Sequence, residues 1–232
     1  MLYLVSTPIG NPDDITLRAL KVLRSVDLIV CEEYKPARRL LKQYEIEKEL
    51  IALNEHNEDE SVRELLPQLR AGKKMALISD GGTPLFSDPG HELVRACIRS
   101  NVPLVPIVGA NSLLPALIGS GFDIEKFYYY GWLSPKREER QAELKRLKNQ
   151  RGTIVLLETP YRLKALLGDM VQILGKEANI SIGFDLTMPT ERFLRGSAEK
   201  VLQIAEKEAL KGEFVLVLDN GGTQKPPIRK RR

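Results

Sequence analysis

Three stretches rich in glycine and proline carry residue types suited to holding a ligand through the backbone. They are STPIGNPDD (6–14), SDGGTPLFSDPG (79–90) and VGANS (108–112). Glycine permits conformations and close approaches that a side chain would block, and proline fixes φ and removes a donor. Such loops offer carbonyl and N–H groups without rotamer freedom, which suits positioning of a bound molecule. The middle stretch is the most unusual. It joins the apolar run KKMALIS to the amphipathic HELVRACIRS, where two or three residues would suffice, and it spends three glycines, two prolines and two aspartates on the link.

Better-known chemistries fit less well. No Gly-Lys-Ser/Thr follows any of the three loops and none reads G-x-G-x-x-G, so neither a P-loop nor the usual dinucleotide fingerprint is present. One such loop is compatible with a plain turn; three at strand ends weigh against it. His56 and His91 stand apart without partners at ligand spacing, so no metal is expected. There is no G-x-S-x-G elbow, and Cys31 and Cys97 lie in apolar rather than basic contexts, as reduced core thiols do. NEHNEDE (54–60) reads as a polar loop ahead of a helix. Glu158, in LLETPYR, stands either at a strand end or as an acid at the start of the following helix.

The elements that must carry these loops alternate in the first half. LYLV (2–5), DLIVC (27–31), ELIAL (49–53), MALIS (75–79) and PLVPIV (103–108) read as apolar strands. ITLRALKVLRSV, PARRLLKQY, DESVRELLPQLRAG and HELVRACIRS have helical spacing. Strand, helix, strand, helix with uniformly apolar strands predicts a parallel sheet covered on both faces. Ligands in such sheets bind beyond the carboxyl ends of the strands, where all three loops fall. The second half changes rhythm. KFYYYGWL, TIVLLE, ISIGFDLT, FLRGS and EFVLVLD alternate with helical segments, and the short FLRGS predicts some antiparallel pairing. The division expected is an α/β domain over 1–113, a second α/β domain with a mixed sheet over 114–222, and a disordered basic tail over 223–232.

The 232 residues are 43% hydrophobic and 28% charged, enough for a substantial core. No apolar run approaches the roughly 20 residues that span a bilayer, and MLYLVSTPIG lacks the basic start of a signal peptide. A cytoplasmic protein is expected. Net charge is +4, yet KPPIRKRR alone holds five cations, so the remainder is 4 − 5 = −1. The tail reads either as a phosphate-seeking arm or as a solvated terminus. Lys35, Arg38, Arg39 and Lys42 form a second basic cluster with no acid between them. SPKREERQAELKRLKNQR (134–151), led by Lys136 and Arg137, holds seven basic and three acidic residues after an aromatic run. That is compatible with RNA binding, where bases stack on aromatics, or with an ordinary solvated helix.

YLVSTPIGNPDDITLRALKVL, NEHNE, LISDGGTPLFSDPG, VPIVGANSLLPAL and LLETPYRL occur in this order and spacing. Together they resemble the small-subunit (16S) rRNA ribose 2′-O-methyltransferases of the tetrapyrrole-methylase superfamily, over nearly the whole chain to about residue 219. The resemblance implies two α/β domains with S-adenosylmethionine in a cleft between them, and a homodimer acting on rRNA or the small ribosomal subunit. It implies cofactor contacts from Pro8 and Gly10, from Asp80, Gly81, Gly82, Thr83 and Pro84, and from Gly109, Asn111 and Ser112. Further contacts are expected from Trp132 and Leu133 and from Leu186 and Met188. The second part of the long loop, Ser87 to Gly90, is expected to brace it and start the helix at His91.

Several positions depart from the family pattern. Cys-Glu-Asp-Thr-Arg is here Cys31-Glu32-Glu33-Tyr34-Lys35, Asp-Ala-Gly-Thr-Pro is Asp80-Gly81-Gly82-Thr83-Pro84, and Gly-Pro-Ser is Gly109-Ala110-Asn111-Ser112. Arg-Glu-Leu-Thr-Lys appears as Phe184-Asp185-Leu186-Thr187-Met188. Relatives also often continue into a further C-terminal region.

A ribose hydroxyl is a poor nucleophile at neutral pH, so a proton acceptor is expected, with Glu33 and Glu158 as candidates and Lys35 as an orienting cation. Lys35, Arg38, Arg39, Lys42, Lys136 and Arg137 are the candidate RNA contacts. Two other readings share these residues: a methyltransferase of a small, tetrapyrrole-like molecule, and a catalytically silent RNA-binding factor with the same fold.

Overall fold

The computed structural model describes residues 1–86 and 88–221; Ser87 and the basic tail lie outside the described residues. The chain divides into two compact units, Met1–Asn111 and the part from Ser112 onward.

In the first unit, β1 (Leu2–Val5), β2 (Leu28–Cys31), β3 (Glu49–Ala52), β4 (Met75–Leu77) and β5 (Leu104–Ile107) form one sheet in the order β3-β2-β4-β1-β5. Every neighbouring pair is parallel. Side chains alternate across the pleat, so β2 sends Ile29 and Cys31 to one face and Leu28 and Val30 to the other. The first face packs on α1 (Leu17–Ser25) and α2 (Tyr34–Gln43) through Ala19, Leu23, Ala37 and Leu41. The second packs on α3 (Glu58–Arg70) and α4 (His91–Arg99) through Leu65, Leu69, Leu93 and Cys97. Two covered faces are why these strands are so uniformly apolar.

Local signals place most helix ends. Thr16 caps α1, its Oγ1 accepting from Ala19 N at 3.1 Å. Gly72, at φ +99°, follows α3 where a left-handed residue ends a helix. The helix expected from Pro36 begins two residues earlier, at Tyr34, because proline is tolerated in a first turn whose N–H groups lack partners anyway. MALIS is a strand only through Leu77; Ile78 and Ser79 already belong to the loop.

In the second unit, β6 (Phe127–Trp132), β7 (Gly152–Glu158), β8 (Asn179–Phe184), β9 (Arg192–Ser197) and β10 (Phe214–Asn220) order as β6-β7-β10-β8-β9. β6 and β7 are parallel and all other pairs antiparallel, so the sheet is mixed, with FLRGS in the β8–β9 hairpin. α5 (Leu113–Ser120), α6 (Arg137–Leu147), α7 (Leu163–Ile173) and α8 (Ala198–Lys207) complete the unit. Its core joins Leu144 and Leu147 of α6 and Leu166, Leu167 and Met170 of α7 to Ile154, Leu156 and Leu216 of the sheet. Among the described residues, no helix is long and apolar enough to cross a membrane.

Candidate functional site

In the parallel sheet of the first unit, β1 lies between β4 and β5, so the three glycine-rich loops leave it side by side. Hydrogen bonds then stitch them together. Thr7 and Gly82 pair through their backbones, Thr7 N donating to Gly82 O at 2.9 Å and Gly82 N to Thr7 O at 3.0 Å. The hydroxyls of Ser6 and Thr83 lie 3.0 Å apart, and Thr83 Oγ1 donates to Ala110 O at 3.2 Å. Thr83 thus touches both other loops. Ser79 Oγ donates to Gly82 O at 3.4 Å and closes the start of the long loop.

The glycines in this arrangement are not equivalent. A Cβ on Gly109 would stand 2.8 Å from Ser6 Cβ, so the β5 loop approaches the β1 loop as closely as only glycine allows. Gly82 adopts φ +90°, which L side chains rarely do. Gly81 has neither constraint; its Cβ would make an ordinary contact at 3.5 Å with Pro8 O. An alanine, as in the family pattern, fits there. The departure at Gly81 therefore leaves the packing of the loop as an alanine would.

The far end of the long loop is braced from outside. Glu58 Oε1 accepts from Gly90 N at 2.9 Å and from Glu92 N at 2.8 Å, capping α4 from a residue 32 positions away. Gly90, at φ +115°, is tightly packed, since a Cβ would fall 3.0 Å from Leu77 Cδ2. NEHNE forms the entry to α3: Asn54 N donates to Asn57 Oδ1 at 2.7 Å and Asn57 Nδ2 to Ala52 O at 3.1 Å.

β2 lies between β3 and β4, so the first residues past the strand emerge beside their loops. Glu32 is half-buried there, with no hydrogen-bond or ion-pair partner among the described residues. Burial raises the Glu32 carboxyl above its ordinary value, and the charges of Asp80, Asp88, Glu55 and Glu33 raise it further. Asp80 and Asp88 are also raised, mainly by burial; the Glu33 N–H at Asp80 and the Ser79 hydroxyl at Asp88, its one proton shared with Gly82 O, act in opposition. Glu33 itself is exposed, at the N-cap of α2. Cys31, just before, has its thiol pushed up to about 11, first by burial, so it is no nucleophile at neutral pH.

Lys35, Arg38, Arg39 and Lys42 are all exposed along α2, and none forms an ion pair among the described residues. The Arg38 guanidinium lies over the Tyr34 ring, 5.3 Å from its centroid. Pro8 and Gly10 are half-buried in the β1 loop, and Pro84 is buried under the long one. Asn111 and Ser112 are half-buried at the end of the β5 loop and the start of α5.

In the second unit, Trp132 is 43% exposed at the carboxyl end of β6, whereas Leu133 is in the core. Leu186 is buried and Met188 exposed, in a hairpin loop where Asp185 and Thr187 take φ of 45° and 70°. Leu133 and Leu186 can therefore offer a ligand only their backbone. Lys136 pairs with Glu139 at 3.0 Å, and Arg137 leans 3.4 Å from Asp169.

Glu158 is engaged elsewhere. It is buried, and its Oε1 accepts from Thr159 N at 2.7 Å and from Arg162 Nε at 2.6 Å. It ends β7 and holds the following turn through Oε1, while its buried Oε2 has no hydrogen-bond partner among the described residues. Sequence reading overlooked Glu32 and Glu58. The signal for Glu32 was a carboxylate directly after a fully apolar strand; for Glu58, a partner 32 residues away, there was none.

A family model described as tetrapyrrole (corrin/porphyrin) methylases matches residues 1–202. The ribosomal RNA small subunit methyltransferase I of Halalkalibacterium halodurans is 39% identical, over 97% of this chain and 78% of the relative. The protein of that name from Thermotoga maritima is 40% identical, over 94% of this chain and 97% of the relative. Among solved structures, uroporphyrin-III C-methyltransferase from Thermus thermophilus, complexed with S-adenosylhomocysteine, aligns with a TM-score of 0.63 at 20% identity, covering 94% of this chain and 96% of that one.

Proposed function

The chain belongs to the tetrapyrrole (corrin/porphyrin) methylase family and, within it, to the ribosomal RNA small subunit methyltransferase I group, and on that premise we propose that it transfers a methyl group from S-adenosylmethionine to a ribose 2′-hydroxyl of small-subunit rRNA. The observation that carries the reading is the stitched set of loops, in which Thr7, Gly82, Thr83 and Ala110 hold three strand ends as one surface.

The residues present fit an adenosylmethionine. Gly109 and Gly82 let the three loops close on one another, since a Cβ would meet Ser6 at 2.8 Å and Ile9 at 3.2 Å, and the prolines keep the resulting backbone surface stiff. The cofactor supplies a methyl group already activated on a sulfonium sulfur. The chain's own task is then to hold a hydroxyl in line with that methyl group and to take its proton. Glu32 suits the second task best of the carboxylates: it is unpaired among the described residues, half-buried, and surrounded by acids that raise its proton affinity. Glu33 and Lys35, exposed at the head of α2, meet the ribose and its phosphate. Arg38, Arg39 and Lys42 extend the same positive surface, which draws a nucleic-acid backbone and releases counterions. Lys136 and Arg137 are secondary RNA contacts, since acids already engage them.

The same reading includes a homodimer in the cytoplasm. Leu114 and Ile118, exposed one turn apart on α5, support an apolar face for a second copy. The two free, buried cysteines suit a reducing compartment.

Nucleoside mass spectrometry of small-subunit rRNA from cells with and without the gene tests the assignment. Loss of one 2′-O-methylated nucleoside is expected. An unchanged profile, with adenosylmethionine binding intact, would turn the reading toward a small-molecule acceptor; absence of that binding would leave a silent RNA-binding factor.

A further inference from the structure

The first turn of α2 carries an aromatic ring among charged neighbours. Tyr34 is the first residue of the helix, between Glu33 and Lys35, and is 42% exposed. Helical side chains lean toward the N-terminus, which takes the ring back over the carboxyl end of the sheet. Its hydroxyl accepts from Ala52 N at 3.3 Å. Ala52 is the last residue of β3, an outer strand of the sheet, paired on one side only. Leu53 N donates to Cys31 O on the β2 side, so the Ala52 N–H, one residue earlier, points off the open edge. The ring is thus tied to a strand edge by its hydroxyl while much of it stays in solvent.

One step along the same helix face stands Arg38, its guanidinium 5.3 Å from the Tyr34 centroid. Lys42 follows at the same interval, so Tyr34, Arg38 and Lys42 form one i, i+4 ridge, and Lys35 and Arg39 form the next. The first ridge borders a groove of about 800 Å³ between α2 and β3. Arg38, Lys42 and Lys48 bring charge to the groove, and Leu41 and Leu50 bring apolar surface. Its volume is in the range of pockets that hold small ligands. Lys48 Nζ is held by Val26 O at 2.7 Å. Glu45 and Glu47, in the turn after α2, also line the groove and confine an anionic group to its α2 side. Neither Arg38 nor Lys42 has an acid partner among the described residues.

An aromatic–cation pair at this spacing would by itself only steady the helix. Here the ring is also anchored, the cation lacks an acid, and the pair opens on a groove with apolar walls. A flat π face, apolar surface and unneutralised cations together match a nucleobase joined to a phosphate. A phosphate alone needs no ring, and a duplex keeps its bases stacked inside, out of the ring's reach.

We propose that Tyr34 and Arg38 form a stacking platform for one unpaired nucleobase of the RNA, with the adjoining phosphate held at Lys42 along the groove. The proposal rests on the RNA reading above and deepens it: the RNA recognised must offer a base free of its helix. Tyr34 and Arg38 bind that base and take no part in methyl transfer.

Fluorescence anisotropy with a short, unstructured, end-labelled oligoribonucleotide, and with the same strand annealed to its complement, tests the platform. Tyr34→Leu removes the π face and keeps an apolar side chain, so affinity for the single strand should fall roughly five- to a hundredfold. The slope of log affinity against log salt should stay as in wild type, because no phosphate contact is lost, and duplex binding should not change. Tyr34→Phe gives up only the bond to Ala52 N and should lose far less. Arg38→Lys keeps the charge without the planar group, so it too should lose single-strand affinity at an unchanged slope. Lys42→Ala should do the reverse, flattening the single-strand slope by about 0.7. A Tyr34→Leu protein with native circular dichroism and wild-type single-strand affinity overturns the platform. Equal weakening toward single strand and duplex also overturns it, since Tyr34 would then only support the basic face. Should Tyr34→Leu not fold, Arg38→Lys decides by the same comparison. Wild-type protein that binds neither RNA removes the RNA reading itself, a failure visible before any variant is made, and the platform falls with it.

Discussion

Gly109 lies so close to Ser6 that a Cβ at position 109 would come within 2.8 Å of the Ser6 Cβ and 3.3 Å of its carbonyl oxygen. Ser6 is buried at the end of a central strand, and its hydroxyl is engaged with Thr83, so it cannot swing aside cheaply. Gly109→Ala should therefore displace the β5 loop and weaken adenosylmethionine binding by about tenfold or more, while circular dichroism remains native. Calorimetry on the folded variant checks this, and unchanged affinity would remove the β5 loop from the cofactor site.

Adjacent glycines in the long loop should behave oppositely. Gly82 sits at φ +90° and exchanges both backbone hydrogen bonds with Thr7, so Gly82→Ala should cost about 1–3 kcal/mol of stability and loosen that bridge. Gly81→Ala should be neutral in both melting temperature and cofactor affinity, because its Cβ meets only ordinary contacts. A destabilised G81A would show that the loop is held differently.

The acids at the β2 and β4 ends make a signed prediction. Glu32, Asp80 and Asp88 all have carboxyl pKa values raised above those of the unfolded chain. The folded protein thus binds more protons than the unfolded one between the ordinary and the raised values. Stability from these groups is fully present below the ordinary carboxylate range and is lost as pH rises through the raised values. Glu32→Gln should raise the melting temperature at pH 7, with the gain vanishing toward about pH 4. The same variant should lower the rate of methyl transfer by roughly 10²- to 10⁴-fold, the usual contribution of a general base. A stabilised variant with full activity would assign the proton to another group.

α2 should reveal itself through salt. Removing one phosphate-binding cation, whether Lys35, Arg38, Arg39 or Lys42, should flatten the slope of log affinity against log salt by roughly 0.7–0.9. Alanine at Arg39 and Lys42 together should raise KM for the ribosomal subunit with kcat nearly unchanged. Alanine at Lys136, already paired with Glu139, should change the slope much less.

How much of this was legible beforehand follows from the range of the interactions involved. Strand periodicity, helix caps and loop glycines are local, so LYLV, MALIS and PLVPIV announced a parallel sheet with loops at its carboxyl end. The family motifs sit in those same loops. Glu158 was ambiguous for the opposite reason: a strand-end acid and an acid opening the next helix have the same local sequence, and it is the pairing of β7 with its neighbours that makes it the last residue of the strand. Leu133 and Leu186 likewise turned out to be buried because of what packs around them, which their own segments do not reveal.

By itself the sequence determined the order of strands and helices, the three stiff loops and the family, because each depends on residues within a turn or two of one another. Tertiary structure alone decided which of these residues meet. Thr83 joins residues 77 and 27 positions away, Glu58 caps a helix 32 residues on, and Arg140 finds Asp169 at a separation of 29. It also decided that Glu32 is half-buried among other carboxylates while Glu33, one peptide further along, faces solvent. Burial and long-range charge are properties of the assembled sheet, set by which strands become neighbours, and no local pattern contains that order.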